Sequence, residues 1–253
     1  SLVLPRGPWW WRTPLGAPEK AERMVRYRGL STRTKDERGE VLALSSRRGG
    51  EFNYKDVLLD LKRGNETVHT IERTAANGFA HTSYGFAPDG NHIMSGGDNG
   101  HLEKYHLDGT PAGEFVGHDG QVWSLAAHAG SGLLISGSGD QTVRLWNLET
   151  RELIATLFHG DNDEWVMWTP QGYYTGSPRG GRLVGWLINT PGESSVPQYR
   201  YADEIRALAR QDVVEKAIEL KSAFAAIDAV AKHDPSVRRP FSDRMRDAME
   251  QQK

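Results

Sequence analysis

Apolar and polar positions alternate most regularly between residues 117 and 157. Four apolar stretches stand there: Val122 to Ala126, Leu133 to Ser136, Thr142 to Trp146 and Leu153 to Leu157. Ala129-Gly130-Ser131-Gly132, Gly137-Ser138-Gly139-Asp140 and Glu149-Thr150 separate them. Period-two alternation marks half-buried strands, and Gly/Asp clusters mark tight turns. The pattern predicts a four-stranded antiparallel meander.

The unit recurs with decay. Residues 82–116 hold Phe86-Ala87-Pro88-Asp89-Gly90, then Ser95-Gly96-Gly97-Asp98 and Tyr105-His106. Ser95 precedes Ser136 by 41 residues, and Tyr105 precedes Trp146 by the same 41. Two landmarks give one period, within the range of about 40–45 for propeller blades. Downstream, Trp168-Thr169-Pro170-Gln171-Gly172 takes the place of Phe86 to Gly90, and Trp186 follows Trp146 by 40 residues. Upstream, Asp56 to Val68 can be laid on Thr142 to Leu153, with Leu59-Asp60 in the place of Trp146-Asn147. Four such units cover residues 38–190, after an irregular N-terminal segment at 1–37. Residues 191–253 form a linker (191–199) and amphipathic helices. Ile205, Leu208, Val213, Ala217, Ile218, Leu220, Phe224, Ile227 and Val230 fall at helical spacing up to Pro235, and 236–253 read as a frayed tail or short helix.

The best unit resembles a WD repeat. Gly117-His118 opens it, Ser136-Gly137-Ser138 and Asp140 sit mid-unit, and Trp146-Asn147 stands where that family has Trp-Asp. The resemblance implies a structural tetrad of His118, Ser136, Asp140 and Trp146. A turn Asp accepts the imidazole N–H, and the ring passes a bond on toward the Ser hydroxyl and the indole N–H. The preceding unit has Ala76-Asn77 for Gly-His, so a full tetrad is not expected there. The resemblance also implies partner contacts at Gln121, Trp123 and Gly139. Trp123 is an aromatic anchor if it is exposed and a core residue if it is not.

A family ring usually has seven blades, about 290 residues at this period. Four blades leave open sheet faces, so a protein partner or a second copy completing the ring is expected, or a longer parent chain, while closure as a small four-bladed ring is disfavoured by the family pattern. Glu164 to Tyr174 and Ser177-Pro178 resemble a late blade of bacterial WD-repeat proteins, some of which carry caspase-like peptidase domains. This implies a second reading, a sensor or regulatory part of a larger bacterial signalling or defence protein with a peptidase-type effector.

Composition narrows the chemistry. The chain has 253 residues, net charge -2, no Cys, 28 Gly and 8 Trp. Frequent Gly with spaced aromatics fits short strands and tight turns, and the fold class expected is all-β, WD-repeat propeller blades with a C-terminal helical extension. The charge gives no bulk case for nucleic acid, and no apolar run suits a membrane span. Without Cys, a reducing, cytoplasmic setting is the simpler expectation. His92, His101, His106 and His118 invite a metal reading, but they fall in different turns and strands, so no metal and no cofactor is expected. Asp89, Asp98, Asp119 and Asp140 read as turn residues rather than as a Ca²⁺ loop or a carboxylate pair. Ser83, His118 and Asp140 can be drawn as a triad, but the tetrad already accounts for two of them. No catalytic residue is expected, and a propeller hydrolase has no positive support. Arg47-Arg48 and Arg238-Arg239 read as solvated surface. Leu4-Pro5-Arg6-Gly7 partly resembles an engineered protease-site linker. Trp9-Trp10-Trp11 is either a partner-inserting element or a segment packed on its own domain.

Overall fold

The computed structural model describes residues 28–49, 57–128, 130–188 and 198–250; the Leu4–Gly7 and Trp9–Trp11 segments lie outside them. The chain divides into two units, Ser1–Glu152 and Leu153–Lys253. Strands, arranged in antiparallel sheets, outweigh helix among the described residues, and a helical part follows at the C-terminal end.

The first unit holds β1 (Arg28–Gly29), β2 (Arg33–Lys35), β3 (Val41–Arg48), β4 (Val57–Arg63), β5 (Glu66–Ile71), β6 (His81–Phe86), β7 (His92–Gly97), β8 (Leu102–His106), β9 (Pro111–Phe115), β10 (Val122–His128), β11 (Leu133–Ser138) and β12 (Thr142–Asn147). They pair as β2-β3-β4-β5, as β6-β7-β8-β9 and as β1-β10-β11-β12. The 41-residue period is visible in the strands: β6 and β7 begin at His81 and His92, β10 and β11 at Val122 and Leu133. Leu42, Leu44, Leu59, Leu61 and Ile71 from the first sheet pack with Phe86, Ile93 and Tyr105 from the second. Inward residues of adjacent sheets thus share one core, as stacked blades require. Beside Leu59, Asp60 is buried too, and the Arg47 guanidinium and the Thr70 hydroxyl both donate to it at 2.8 Å.

The second and third sheets meet along their first strands. The Thr82 and Ser83 hydroxyls each donate to the Val122 carbonyl at 2.7 Å. Phe115 and Trp146 pack edge to face at 5.8 Å.

Residues 28–35 depart from the irregular segment expected at 1–37. Arg28 and Gly29 pair with Ala127 and Ala126, Ser31 bridges Phe86, and β2 pairs with β3. One extended run therefore crosses all three sheets. Such a run satisfies backbone groups that an open inner edge would leave to solvent. Gly85 permits it, since a Cβ there would lie 2.3 Å from the Leu30 Cβ. No apolar alternation marks this segment in the sequence.

The second unit holds β13 (Leu153–His159), β14 (Trp165–Trp168), β15 (Tyr174–Gly176), β16 (Gly185–Ile188) and β17 (Gln198–Tyr201). β14 pairs with both β13 and β15. β16, which carries Trp186, pairs with β17 to make a two-stranded ribbon. The Trp186 ring lies between Tyr174, at 6.4 Å, and Phe241, at 5.6 Å.

Residues 202–208 form two single 3-10 turns, so the helical spacing that starts at Ile205 becomes an α-helix only at α1 (Gln211–Leu220). Lys221 ends it in the left-handed region at φ +56°, and Ser222 caps α2 (Ala223–Val230) by accepting from the Ala225 N–H at 3.1 Å. The cap thus separates α1 from α2. The tail continues as α3 (Phe241–Glu250), whose Arg244 stacks over the Tyr173 ring at 4.1 Å.

Candidate functional site

Four side chains converge from the loop before β10, from β11, from the β11–β12 turn and from β12. His118 Nδ1 lies 2.7 Å from Asp140 Oδ2, His118 Nε2 lies 2.7 Å from Ser136 Oγ, and the Trp146 indole N–H donates to Ser136 Oγ at 2.8 Å. These are His118, Ser136, Asp140 and Trp146, the four positions that the sequence singles out. A carboxylate only accepts, so Nδ1 carries the imidazole proton and Nε2 accepts from the Ser136 hydroxyl. Each group then makes the bonds its chemistry allows.

Burial is what chiefly lowers the His118 pKa, against the opposing pull of Asp140. The imidazole is therefore neutral at pH 7. Burial alone would raise the Asp140 pKa, but hydrogen bonds from Thr142 and His118 override it and pull the group down to about 2.

The connectivity is that of a Ser–His–Asp chain. Its serine is Ser136, 0% exposed, with the Trp146 indole N–H bonded to its oxygen. A nucleophile needs an open face toward its substrate, and this oxygen has none. Ser83, the other serine considered, donates to the Val122 carbonyl and does not join His118.

The β6–β9 sheet solves the same problem with other residues. Arg73, 0% exposed at its side chain, donates to the Ser95 carbonyl at 2.7 Å and pairs with Glu103 at 3.3 Å. His81 Nδ1 lies 2.6 Å from Ser95 Oγ and Nε2 3.1 Å from the Ile71 carbonyl. A carbonyl only accepts, so the proton is on Nε2 and Nδ1 accepts from Ser95. Burial, with the charge of Arg73, takes the His81 pKa down to about 3. Asn77, at the place of His118, donates to Glu103 at 3.1 Å, and the Tyr105 hydroxyl bonds the same carboxylate. Sequence reading missed Arg73 and His81. The signal was present: a His stands inside a strand where the sister unit has Val122.

Gln121, Trp123 and Gly139 also come together, on the surface. Val122 pairs with Ser138 but Ser124 pairs with Gly137, so Trp123 is the extra residue of a β-bulge. The same shift occurs between His81 and Ser83, which leaves Thr82 as the extra residue there, 41 positions earlier. A bulge re-aims the side chain it carries. Thr82 folds back onto the Gly96 and Val122 carbonyls, whereas Trp123 is 62% exposed. Its indole N–H donates to Gln121 Oε1 at 2.8 Å. The ring lies beside Gly139, where a Cβ would be 3.4 Å from Trp123 Cζ2. The Gly139 N–H donates to the Gln121 carbonyl at 2.8 Å, which closes the cluster.

The other candidate groups stay apart. His92 bonds Asp89 at 2.7 Å and stacks against His106 at 5.2 Å, while His101 pairs with Glu114. Among the described residues no group of three or more His, Cys, Asp or Glu is arranged to hold a metal ion. Asp89 accepts from the Asn91 and His92 N–H groups and Asp140 from Thr142, each within its own turn. No helix among the described residues is long and apolar enough to cross a membrane.

Residues 109–147 match the family described as WD domain, G-beta repeat. Eukaryotic translation initiation factor 3 subunit I of Phaeosphaeria nodorum is 27% identical over 136 residues, 53% of this chain and 39% of that protein. The Bombyx mori protein of the same name is 47% identical over 53 residues, 21% of this chain and 16% of its own length. Actin-interacting protein 1 of Drosophila melanogaster is 40% identical over 80 residues, 30% of this chain and 13% of that protein. The matched segments span well under half the length of these relatives. All three are eukaryotic, and none is named as a peptidase, so the bacterial peptidase association draws nothing from them. The chain carries WD-repeat sequence at residues 109–147, set in antiparallel sheets of the kind that build propeller blades.

Proposed function

We propose that this chain is a protein-binding module whose partner docks on Gln121, Trp123 and Gly139, while His118, Ser136, Asp140 and Trp146 hold the blade beneath them. One observation carries the reading: a β-bulge turns a tryptophan outward, and its ring sits beside a glycine. Exposed, rigidly held aromatics dominate binding energy at protein interfaces. The tetrad supports it from below. Asp140 follows Gly139 directly, and the Asp119 N–H donates to the Asp140 carboxylate at 3.2 Å, so the loop before Gln121 is anchored. Among the similar proteins, one is named as actin-interacting and others as a subunit of a larger factor, which agrees with a binding role. Binding rather than catalysis is favoured because the Ser136–His118–Asp140 chain is buried and committed to Trp146.

Site-specific photo-crosslinking tests this. A photoreactive phenylalanine at position 123 should give an adduct in an extract of the source cells that excess wild-type chain competes away and the Trp123→Ala chain does not. The same probe at Val41, which is also exposed, should give no such adduct. Equal labelling from both positions would refute the reading. Light scattering on the purified chain decides whether the partner is a second copy: a mass that doubles with concentration and returns to the monomer in Trp123→Ala would assign it so.

A further inference from the structure

The platform has a charge as well as a shape. Asp119, Gln121 and Trp123 are exposed, whereas Gly120 is half-buried and Val122 buried. One period earlier, exposed Asp98 stands where Gly139 stands in the next unit. Its loop reaches the same rim, since a Cβ at Gly100 would lie 2.3 Å from the His118 carbonyl and 3.3 Å from the Asp119 nitrogen. The rim segments 76–80, 98–101, 118–123 and 139–141 contain Asp98, Asp119 and Asp140 and no Lys or Arg. Asp140 already answers to His118, Thr142 and the Arg144 guanidinium 3.7 Å away, which also attracts Asp119. The indole N–H answers to Gln121, so what Trp123 offers a partner is its π face and apolar edge.

A ring face is the negative pole of an aromatic quadrupole and attracts a cation. Two exposed carboxylates on the same rim repel an acidic segment, and a wholly apolar one would strip them of water without pairing them. We infer that the partner segment presents a lysine or arginine side chain to this rim, its cation over Trp123 and its N–H groups toward Asp119 and Asp98. This inference rests on the protein-binding reading of the same platform.

The test is selection of short random peptides displayed on phage against the whole chain, with counter-selection on Trp123→Ala. Retained peptides should be rich in Lys or Arg. A synthetic copy should lose about thirtyfold in affinity on Trp123→Ala and stay within about threefold on Trp123→Phe, which keeps a ring. Asp119→Asn with Asp98→Asn should cost about two- to tenfold at low salt and much less at high salt. Norleucine in place of the peptide's basic residue should abolish the salt dependence. Peptides that need Trp123 but carry no basic residue would overturn this inference and leave the binding platform standing. Binders indifferent to Trp123→Ala, or no binder at all, would overturn both. Trp123 is exposed, so an unchanged melting temperature in its variants separates lost binding from lost folding.

Discussion

Replacing Ser136 with Ala isolates the tetrad from packing. The change removes one oxygen, so the cavity left is smaller than a methyl group and its own cost is small. What remains is the fate of two buried groups. The Trp146 indole N–H and His118 Nε2 both lose the Ser136 hydroxyl as partner, and neither side chain is exposed. Each buried group left unpaired costs about 1–3 kcal/mol, so Ser136→Ala should lose about 2–6 kcal/mol in sum. That is a large share of the stability of a typical domain, about 5–15 kcal/mol. Urea unfolding followed by circular dichroism measures the loss. Amide hydrogen exchange on β11 and β12 assigns it to this sheet, a needed step in a chain of two compact units. Trp146→Phe removes the donor that Ser136→Ala orphans. The double variant should therefore lose less than the sum, by about 1–2 kcal/mol. A Ser136→Ala loss below about 0.5 kcal/mol, with no coupling to Trp146→Phe, would mean that the four residues merely lie close and do not hold the blade.

Three further outcomes follow from the same geometry. Gly100→Ala should cost about 2 kcal/mol or more, read as a fall in melting temperature, because φ is +93° and the new Cβ would meet the His118 carbonyl at 2.3 Å. The His81 pKa is depressed from 6.5 to about 3, so the unfolded chain binds a proton that the folded chain refuses. Its contribution is complete above pH 6.5 and is lost as pH falls toward 3, at up to about 1.4 kcal/mol per pH unit, and His81→Gln should flatten that slope in acid titrations of stability. Asp140 works lower, its contribution present above 3.8 and lost toward pH 2, so Asp140→Asn should cost about 1–2 kcal/mol at pH 7 and nothing further below pH 2.

How much of this was legible in the sequence depends on whether a feature repeats. The 41-residue spacing of Ser95 to Ser136 survives as the register of β7 and β11, because a blade must present the same inner face to each neighbour. His118, Ser136, Asp140 and Trp146 were legible because each keeps a fixed place in the repeat, two in loops and two in strands. Arg73 was not, since it comes from the loop ahead of its strand, and His81 showed only as a histidine at the place of a valine. A buried guanidinium looks like any other charged residue until its partners are known. The strap at 28–35 had no apolar alternation to betray it. It is held by main-chain bonds, which any residue except proline can make.

Trp123 shows where period-two reasoning stops. Alternation predicts a side chain's face only while the ladder is regular, and one inserted residue reverses the face of what it carries. Both β6 and β10 have that insertion at the same place, so the bulge belongs to the blade and not to the tryptophan. These two blades thus share a bulged position and leave the choice of residue open. Where the residue is Thr82, its hydroxyl ties two strands together. Where it is Trp123, a large ring is held against Gly139 and Gln121 in front of solvent. Burying such a ring in its own core would remove well over 100 Å² of apolar surface from water, a gain of several kcal/mol that this position forgoes. A side chain kept out of the core at that cost, and braced by its neighbours, is what the proposed docking surface requires.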